Sequence, residues 1–258
     1  MSDDVVGEPW AVNVATRHAV VMELVHDLAR AGHYEEAVAA CEELLDEDPD
    51  AVEALLVIAD AAPRYGHGEV GLLAAKQAER RGENTLTLQA AALFGALRVG
   101  EALQLAEHIT ETNPSDARAW AVLGQSRELL GEWALAEQAL TNASVCDPGR
   151  FSTAITLDAV GWDRVLLSAL SRLSAEERDR LAPWTLDLCR GPALDLLRRA
   201  QPPVLPSVLT MRDTFEGGRL HLFQNNLARD CQNEERLVER VVFALTEEAY
   251  DILDVEAG

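Results

Sequence analysis

Gly131-Glu132-Trp133-Ala134-Leu135-Ala136, continued by Leu140 and Ala143 and closed by Asp147-Pro148, decides the fold of the first half of this chain. The same layout stands earlier as Gly32-His33-Tyr34-Glu35-Glu36-Ala37, then Cys41, Leu44 and Asp48-Pro49. Both run glycine, any residue, aromatic, then an alanine and two apolar residues at helical spacing. The glycine supplies the turn conformation that side chains resist, and the proline cannot continue a helix. Pro114 and Pro148 are 34 residues apart, and Pro49 and Pro114 are 65 apart. A pattern recurring at such a period is the mark of stacked helical hairpins.

These residues resemble the tetratricopeptide repeat, a helix–turn–helix unit of about 34 residues. Counting back from the closing prolines sets frames near His18, Glu83 and Ala117. A degenerate unit from about Val52 to Gly82 lies between the first two; it keeps Leu55, Ala59, Gly66, Ala75 and Ala78 but lacks the proline. Small residues (Ala37, Gly71, Ala102, Ala136) are expected where paired helices approach closely. Trp120, Leu123 and Leu140 are expected between units. Each unit buries its apolar face only against neighbours, so about three or more are needed. Residues 1–14 then form a tail, 15–150 four repeats with the second degenerate, and 151–258 a separate domain. The fold class is mainly α: a repeat-type α-α superhelix followed by a small α+β domain.

The resemblance places the concave binding surface on first-helix positions: Met22, His26, Leu56, Asp60, Asn84, Thr87, Arg118 and Gln125. Some members of the family hold a partner's terminal carboxylate with lysine and asparagine at two of these positions. Here those positions carry Met22, Leu56, Thr87 and Ala121, and His26, Asp60, Ala91 and Gln125, so that clamp is absent. Up to Arg150 the chain has 26 acidic and 10 basic side chains, which points to a protein or peptide partner that is neutral, apolar or basic.

Composition narrows the classes. A formal charge of −22 repels phosphates and argues against nucleic acid. No apolar run approaches the roughly 20 residues of a membrane span. The acidic start, Met1-Ser2-Asp3-Asp4, lacks a signal-peptide layout, and four scattered cysteines form no CxxC pair. A cytoplasmic location follows as the expectation. Lys76 is the single lysine and follows two alanines, which excludes a P-loop. Gly66-His67-Gly68-Glu69-Val70-Gly71 matches a dinucleotide fingerprint in letters, but it falls in an inter-helix turn and not after a strand.

Beyond Pro148 the repeat stops. Gly161-Trp162 to Leu173 reads as a helix, Ser174-Ala175-Glu176-Glu177 as a helix cap, and Trp184–Leu188 and Arg219–Phe223 as alternating strands. Pro202-Pro203 through Pro206 reads as a rigid loop and Gly217-Gly218 as a turn. A long helix from about Asn233 carries Leu237, Val241, Leu245, Ala249 and Ile252 on one stripe.

This order is similar to the small minimal-zincin metallopeptidase-like domain of bacteria. The likeness rests on Asp147–Phe151, Trp162–Leu173, Pro203–Leu209 and Leu220-His221-Leu222-Phe223-Gln224-Asn225-Asn226-Leu227. In that family the last helix carries H-E-x-x-H, two zinc ligands one turn apart with the glutamate as base. The aligned residues here are Thr246-Glu247-Glu248-Ala249-Tyr250. Glu247 keeps the base position, but a hydroxyl and a phenol replace both imidazoles. Without zinc no water is driven toward a pKa of about 7.

The expectation is therefore a non-catalytic interaction scaffold, adaptor or regulator, with no cofactor and no metal, whose second domain is a degenerate peptidase. The competing expectation is a hydrolase with a non-standard site around Glu247, Asp251, Asp254 and His221, its oxygen ligands suited to a hard cation. A cysteine nucleophile would pair Cys189 or Cys231 with His221 in space.

Overall fold

The structure is a computed structural model and describes residues 14–152, 154–200, 205–213 and 218–256. The tail up to residue 13, the Pro202-Pro203 stretch, Gly217 and the Asp254 side chain lie outside the described residues. Eight helices come first: α1 (Val14–Ala31), α2 (Tyr34–Glu47), α3 (Val52–Ala61), α4 (Gly68–Arg80), α5 (Leu86–Gly95), α6 (Val99–Thr112), α7 (Ala117–Leu129) and α8 (Trp133–Cys146). The remainder is α9 (Ala159–Arg172), α10 (Ala175–Leu181), β1 (Thr185–Cys189), α11 (Leu194–Arg199), β2 (Thr210–Asp213), β3 (Arg219–Phe223), α12 (Gln224–Ala228) and α13 (Glu234–Glu256). The chain divides into two compact units, 1–102 and 103–258, with α6 spanning the division.

The turns explain the pairing of the helices. After α1, Gly32 takes φ +87°, its N–H reaching the Ala29 carbonyl while the His33 N–H reaches Leu28. That is a Schellman closure, which satisfies carbonyls the helix end leaves open. Gly131 at φ +76° closes α7 the same way, through Glu128 and Arg127. In the third repeat the position belongs to Leu97, at φ +56°, with the same bonding to Phe94 and Leu93. The degenerate unit, lacking a proline, stops on Gly82 at φ +99°, again with the two Schellman bonds.

Within the first unit, Val25, Ala37, Cys41, Leu55, Ala59 and Ala75 form one buried core. Thr85, almost fully buried before α5, donates to the Ala75 carbonyl of α4 at 3.0 Å and accepts from Gln89 at 3.0 Å. The glycines of the 66–71 stretch serve packing. A Cβ on Gly68 would lie 2.2 Å from the Ala96 nitrogen, and one on Gly71 2.7 Å from Pro63. Helices α4 and α5 thus touch backbone to backbone.

The second unit holds α7–α8 and the α+β part. Gly124 lets the Leu140 side chain of α8 approach; a Cβ there would sit 2.7 Å from it. The sheet has the order β1-β3-β2, with β1 parallel and β2 antiparallel to β3. Asp187 sits opposite His221, and His221 opposite Met211. Alternate strand residues point to opposite faces. Leu186, Leu188, Leu220 and Leu222 join a core with Trp162 and Val165 of α9 and Leu237, Val241 and Leu245 of α13. Asp187, Cys189, Met211, Asp213, His221 and Phe223 share the other face.

The two expected strands and the long last helix are present, each within one residue of the sequence reading. Ser174 caps α10 in a full capping box with Glu177. Helices α11 and α12 and strand β2 were not foreseen; they are short, and β2, which pairs with the next strand β3, has no apolar alternation of its own.

Candidate functional site

Two places carry chemistry: the faces of the repeat helices, and the far side of the small sheet. On the helices, one expected surface residue is corrected. Met22 is 3% exposed and belongs to the core of the first unit, because its position on α1 turns toward the neighbouring helices rather than to solvent. Leu56 packs half-buried against the same core. His26 Nε2 lies 3.1 Å from Glu53 Oε1, and Asp60 pairs with Arg64 one turn on. Asn84 is exposed, but it precedes α5 instead of lying on it, its Oδ1 facing the Leu86 N–H at 3.5 Å. Thr87 on α5 is half-buried, as are Arg118 and Gln125 on α7. The first six expected residues fall in the unit 1–102 and the last two in the unit 103–258.

The end of α7 meets the α+β part. Glu128 accepts from Asn225 Nδ2 at 2.7 Å and from Arg229 Nη2 at 2.6 Å. At the start of α8, Arg190 lies over the Trp133 ring at 4.7 Å, and Gly191 leaves room for the same indole. The last helical pair is thus docked through a carboxylate and an aromatic ring, residues the sequence reading had not assigned to this task.

On α13 the three motif positions diverge. Glu247 is exposed. The Thr246 hydroxyl donates to Glu177 of α10 at 3.0 Å, and Arg180 of α10 covers the Tyr250 ring at 5.5 Å. The buried carboxylate is the neighbour, Glu248. It accepts from the Thr210 hydroxyl at 2.6 Å and pairs with Arg212 at 3.0 Å, tying α13 to β2. Burial pushes its pKa up against the Thr210 bond and the Arg212 charge. Asp251 faces Arg212 at 3.6 Å, so it belongs to this structural pairing.

His221, by contrast, is 9% exposed and stands in a cluster on the opposite face of the sheet. Its Nδ1 lies 3.5 Å from Cys189 Sγ and 3.3 Å from Asp187 Oδ2. Its Nε2 faces Asp213 Oδ2 at 4.0 Å. Burial, and then the Asp187 charge, raise the Cys189 thiol to about 11, so it is no ready nucleophile at neutral pH. Cys231 lies elsewhere, buried with its thiol donating to the Leu227 carbonyl at 3.3 Å. Of the two cysteines the sequence left open, the structure brings Cys189 to His221. Asp187, Cys189 and His221 are also the group able to offer three metal-ligating atoms within 4.8 Å of one another among the described residues. The alternation Asp187-Leu188-Cys189 and Leu220-His221-Leu222 held the signal; the parallel register that joins them did not show.

Comparison with known proteins completes the description. Residues 22–64 and 87–150 match the family model described as tetratricopeptide repeat. The helices inside these two stretches carry that repeat. The gap in the match covers most of the unit whose closing proline is missing, although α3 and α4 pair as the other helices do. The chain is similar to a thermophilic tetratricopeptide protein from Thermus thermophilus, at 24% identity over 50% of this chain and 74% of that one, TM-score 0.45. It is similar to MamA from Desulfovibrio magneticus at 20% identity, 50% and 75% coverage and TM-score 0.40. YrrB, a tetratricopeptide protein with an unusual peptide-binding site, matches at 18% identity over 50% of this chain and 68% of that one, TM-score 0.37. No curated protein matches the sequence. No helix among the described residues is long and apolar enough to cross a membrane.

Proposed function

We propose that this chain is a non-catalytic interaction protein, a scaffold, adaptor or regulator in the cytoplasm. Four repeats over 15–150 bind a protein or peptide, and the α+β domain over 151–258 is a metallopeptidase-like module without its peptidase site. The observation that carries the reading is the tetratricopeptide match on both sides of residue 64–87, a repeat whose proteins typically bind protein or peptide partners. The partner is neutral, apolar or basic, since the chain carries a formal charge of −22. Its contacts fall on His26, Leu56, Asp60, Asn84, Thr87, Arg118 and Gln125; Met22 supports them from the core.

The loss of peptidase function is supported by the use of Thr246 and Tyr250 against α10 and by the exposure of Glu247. Position for position, the helix face that would hold zinc is spent on a helix–helix contact.

Crosslinking tests the reading. A photoreactive residue at Asn84 or Gln125 in the full chain should yield defined adducts in native lysate. Leu56→Glu with Thr87→Arg, in a chain that still folds by circular dichroism, should abolish the adduct at Asn84. Adducts indifferent to those substitutions would refute the binding surface. Hydrolysis of an unfolded protein that disappears in Glu247→Gln would refute the absence of catalysis.

A further inference from the structure

The face of the sheet turned away from α13 holds a group of side chains that the scaffold reading does not use. We infer that Asp187, Cys189 and His221 form a three-ligand zinc site on the parallel pair β1–β3, with Asp213 orienting the imidazole and a fourth position for water.

The geometry is specific. Zinc bonds of about 2.3 Å to sulfur and about 2.0–2.1 Å to nitrogen and oxygen, at the tetrahedral angle, set sulfur and nitrogen about 3.5 Å apart and nitrogen and oxygen about 3.3 Å apart. Cys189 Sγ and His221 Nδ1 are 3.5 Å apart, and His221 Nδ1 and Asp187 Oδ2 are 3.3 Å apart. Both contacts converge on the same ring nitrogen. An N–H there points along one line and serves one of them, while the Cys189 thiol also hydrogen-bonds Asp187, so the three ligating atoms already converge on one point. An ion between the three atoms would replace these mutual contacts with three bonds to one centre.

The opposite side of the ring supplies an independent observation. Nε2 faces the Asp213 carboxylate at 4.0 Å, an ion-pair distance longer than a direct hydrogen bond, which a small rotation of either side chain closes. Metal-bound histidines almost always direct the second ring N–H to a carboxylate, carbonyl or water, which fixes the tautomer that frees the ligating nitrogen. Arg219 Nη1, 3.8 Å from Asp187 Oδ2, offsets part of the negative charge gathered here. A thiolate, an imidazole and a carboxylate together suit a borderline ion such as zinc better than magnesium or calcium. Binding takes the proton from the Cys189 thiol to solvent and leaves the imidazole neutral, its hydrogen on Nε2.

The strands supply the rigidity. Asp187 and Cys189 are i and i+2 on β1, and His221 is the register partner of Asp187 on β3, so the ion clips the two parallel strands together. This site is distinct from the Thr246–Tyr250 positions on α13.

Metal-free full-length chain titrated with zinc, and separately with cobalt as a spectroscopic stand-in, tests the inference. One ion per chain and a thiolate-to-cobalt charge-transfer band are expected. Cys189→Ser and His221→Ala should lose binding at zinc concentrations that saturate the wild type. Asp213→Ala should weaken it about 10–100-fold. Cys146→Ser, at an exposed cysteine, should leave it unchanged. If the ligand variants do not fold, alkylation of the wild type decides instead: zinc should protect Cys189 and leave Cys146 reactive. Absence of binding with Cys189 equally reactive with and without zinc would overturn the inference. So would zinc retained by both ligand variants. Zinc lost in Glu247→Gln but kept in His221→Ala would move the ion to α13 and overturn both this site and the pseudo-peptidase reading, whereas zinc at Cys189 leaves the latter standing.

Discussion

Removing Glu128 should loosen the last repeat from the α+β part, by an amount the geometry sets. Its carboxylate accepts two bonds, from Asn225 at 2.7 Å and from Arg229 at 2.6 Å, with side chains 12% (Glu128) and 24% (Arg229) exposed. Hydrogen bonds to a charged group contribute about 1.5–3 kcal/mol each when shielded. Residual exposure screens the Arg229 bond, and Arg229 keeps a longer contact to Asn226 Oδ1 at 3.4 Å after the loss. Glu128→Ala should therefore cost about 2–3 kcal/mol. At roughly 2–4 °C per kcal/mol for a chain of this size, the melting temperature should fall by about 4–12 °C. A double-mutant cycle with Arg229→Ala, read by urea unfolding and far-ultraviolet circular dichroism, isolates the pair, and the coupling should be about 1–2 kcal/mol. It should survive high salt, unlike that of the exposed Arg172–Glu235 pair. A coupling below about 0.3 kcal/mol, or one abolished by salt, would refute the claim that this carboxylate anchors the junction.

Gly68→Ala should destabilise the first unit by about 3 kcal/mol, because backbone atoms of Ala96, Gly95 and Ala92 occupy the space a Cβ needs. Gly100→Ala, with open space at its Cβ, should be neutral or stabilising by roughly 0.5 kcal/mol in the same thermal melt. Adding a dinucleotide should move neither transition. Glu248 titrates above its ordinary value of 4.5 in the folded chain, so the folded state holds that proton longer than the unfolded one. Stability attributable to it should fall as pH climbs from about 4.5 through the raised value. The stability of Glu248→Gln relative to the wild type should accordingly rise across that window and level off beyond it. A difference independent of pH would show that burial does not control this carboxyl.

The repeats were legible because their turns are chemically restrictive. Gly32 and Gly131 take positive φ, and the aromatic, alanine and proline positions follow at fixed distances from them. Leu97 shows where the pattern hides: the third turn has the same backbone bonds but a leucine in the left-handed region, so no glycine announces it. Gly82 hides the second closure in the opposite way, ending α4 without a proline. Surface assignment was weaker. A frame counted from prolines places Met22 by number, but burial depends on how α1 lies against its neighbours, and there the side chain is in the core. In the α+β part the alternation of β1 and β3 was visible. The four-residue β2 was not, because Thr210-Met211-Arg212-Asp213 has no apolar alternation; its inward positions are a threonine and an arginine matched to Glu248.

That match locates the reactive side chains of the second unit. Strand β3, central in the sheet, is nearly buried along its length, and its period of two separates the two faces. Leu220 and Leu222 enter the core under α13. His221 must then point away from α13, toward Asp187, Cys189 and Asp213. No rotation of its side chain could bring it beside Glu247 or Asp251, which lie on the helix across the sheet. A one-residue slip of β3 would exchange the faces, but it would also drive Leu220 and Leu222 out of the core, and the register with Asp187 prevents it. The chemistry of this domain therefore divides by strand parity: α13 and β2 share the Glu248–Arg212 tie, which holds the fold, while the groups able to grip an ion stand together on the other side.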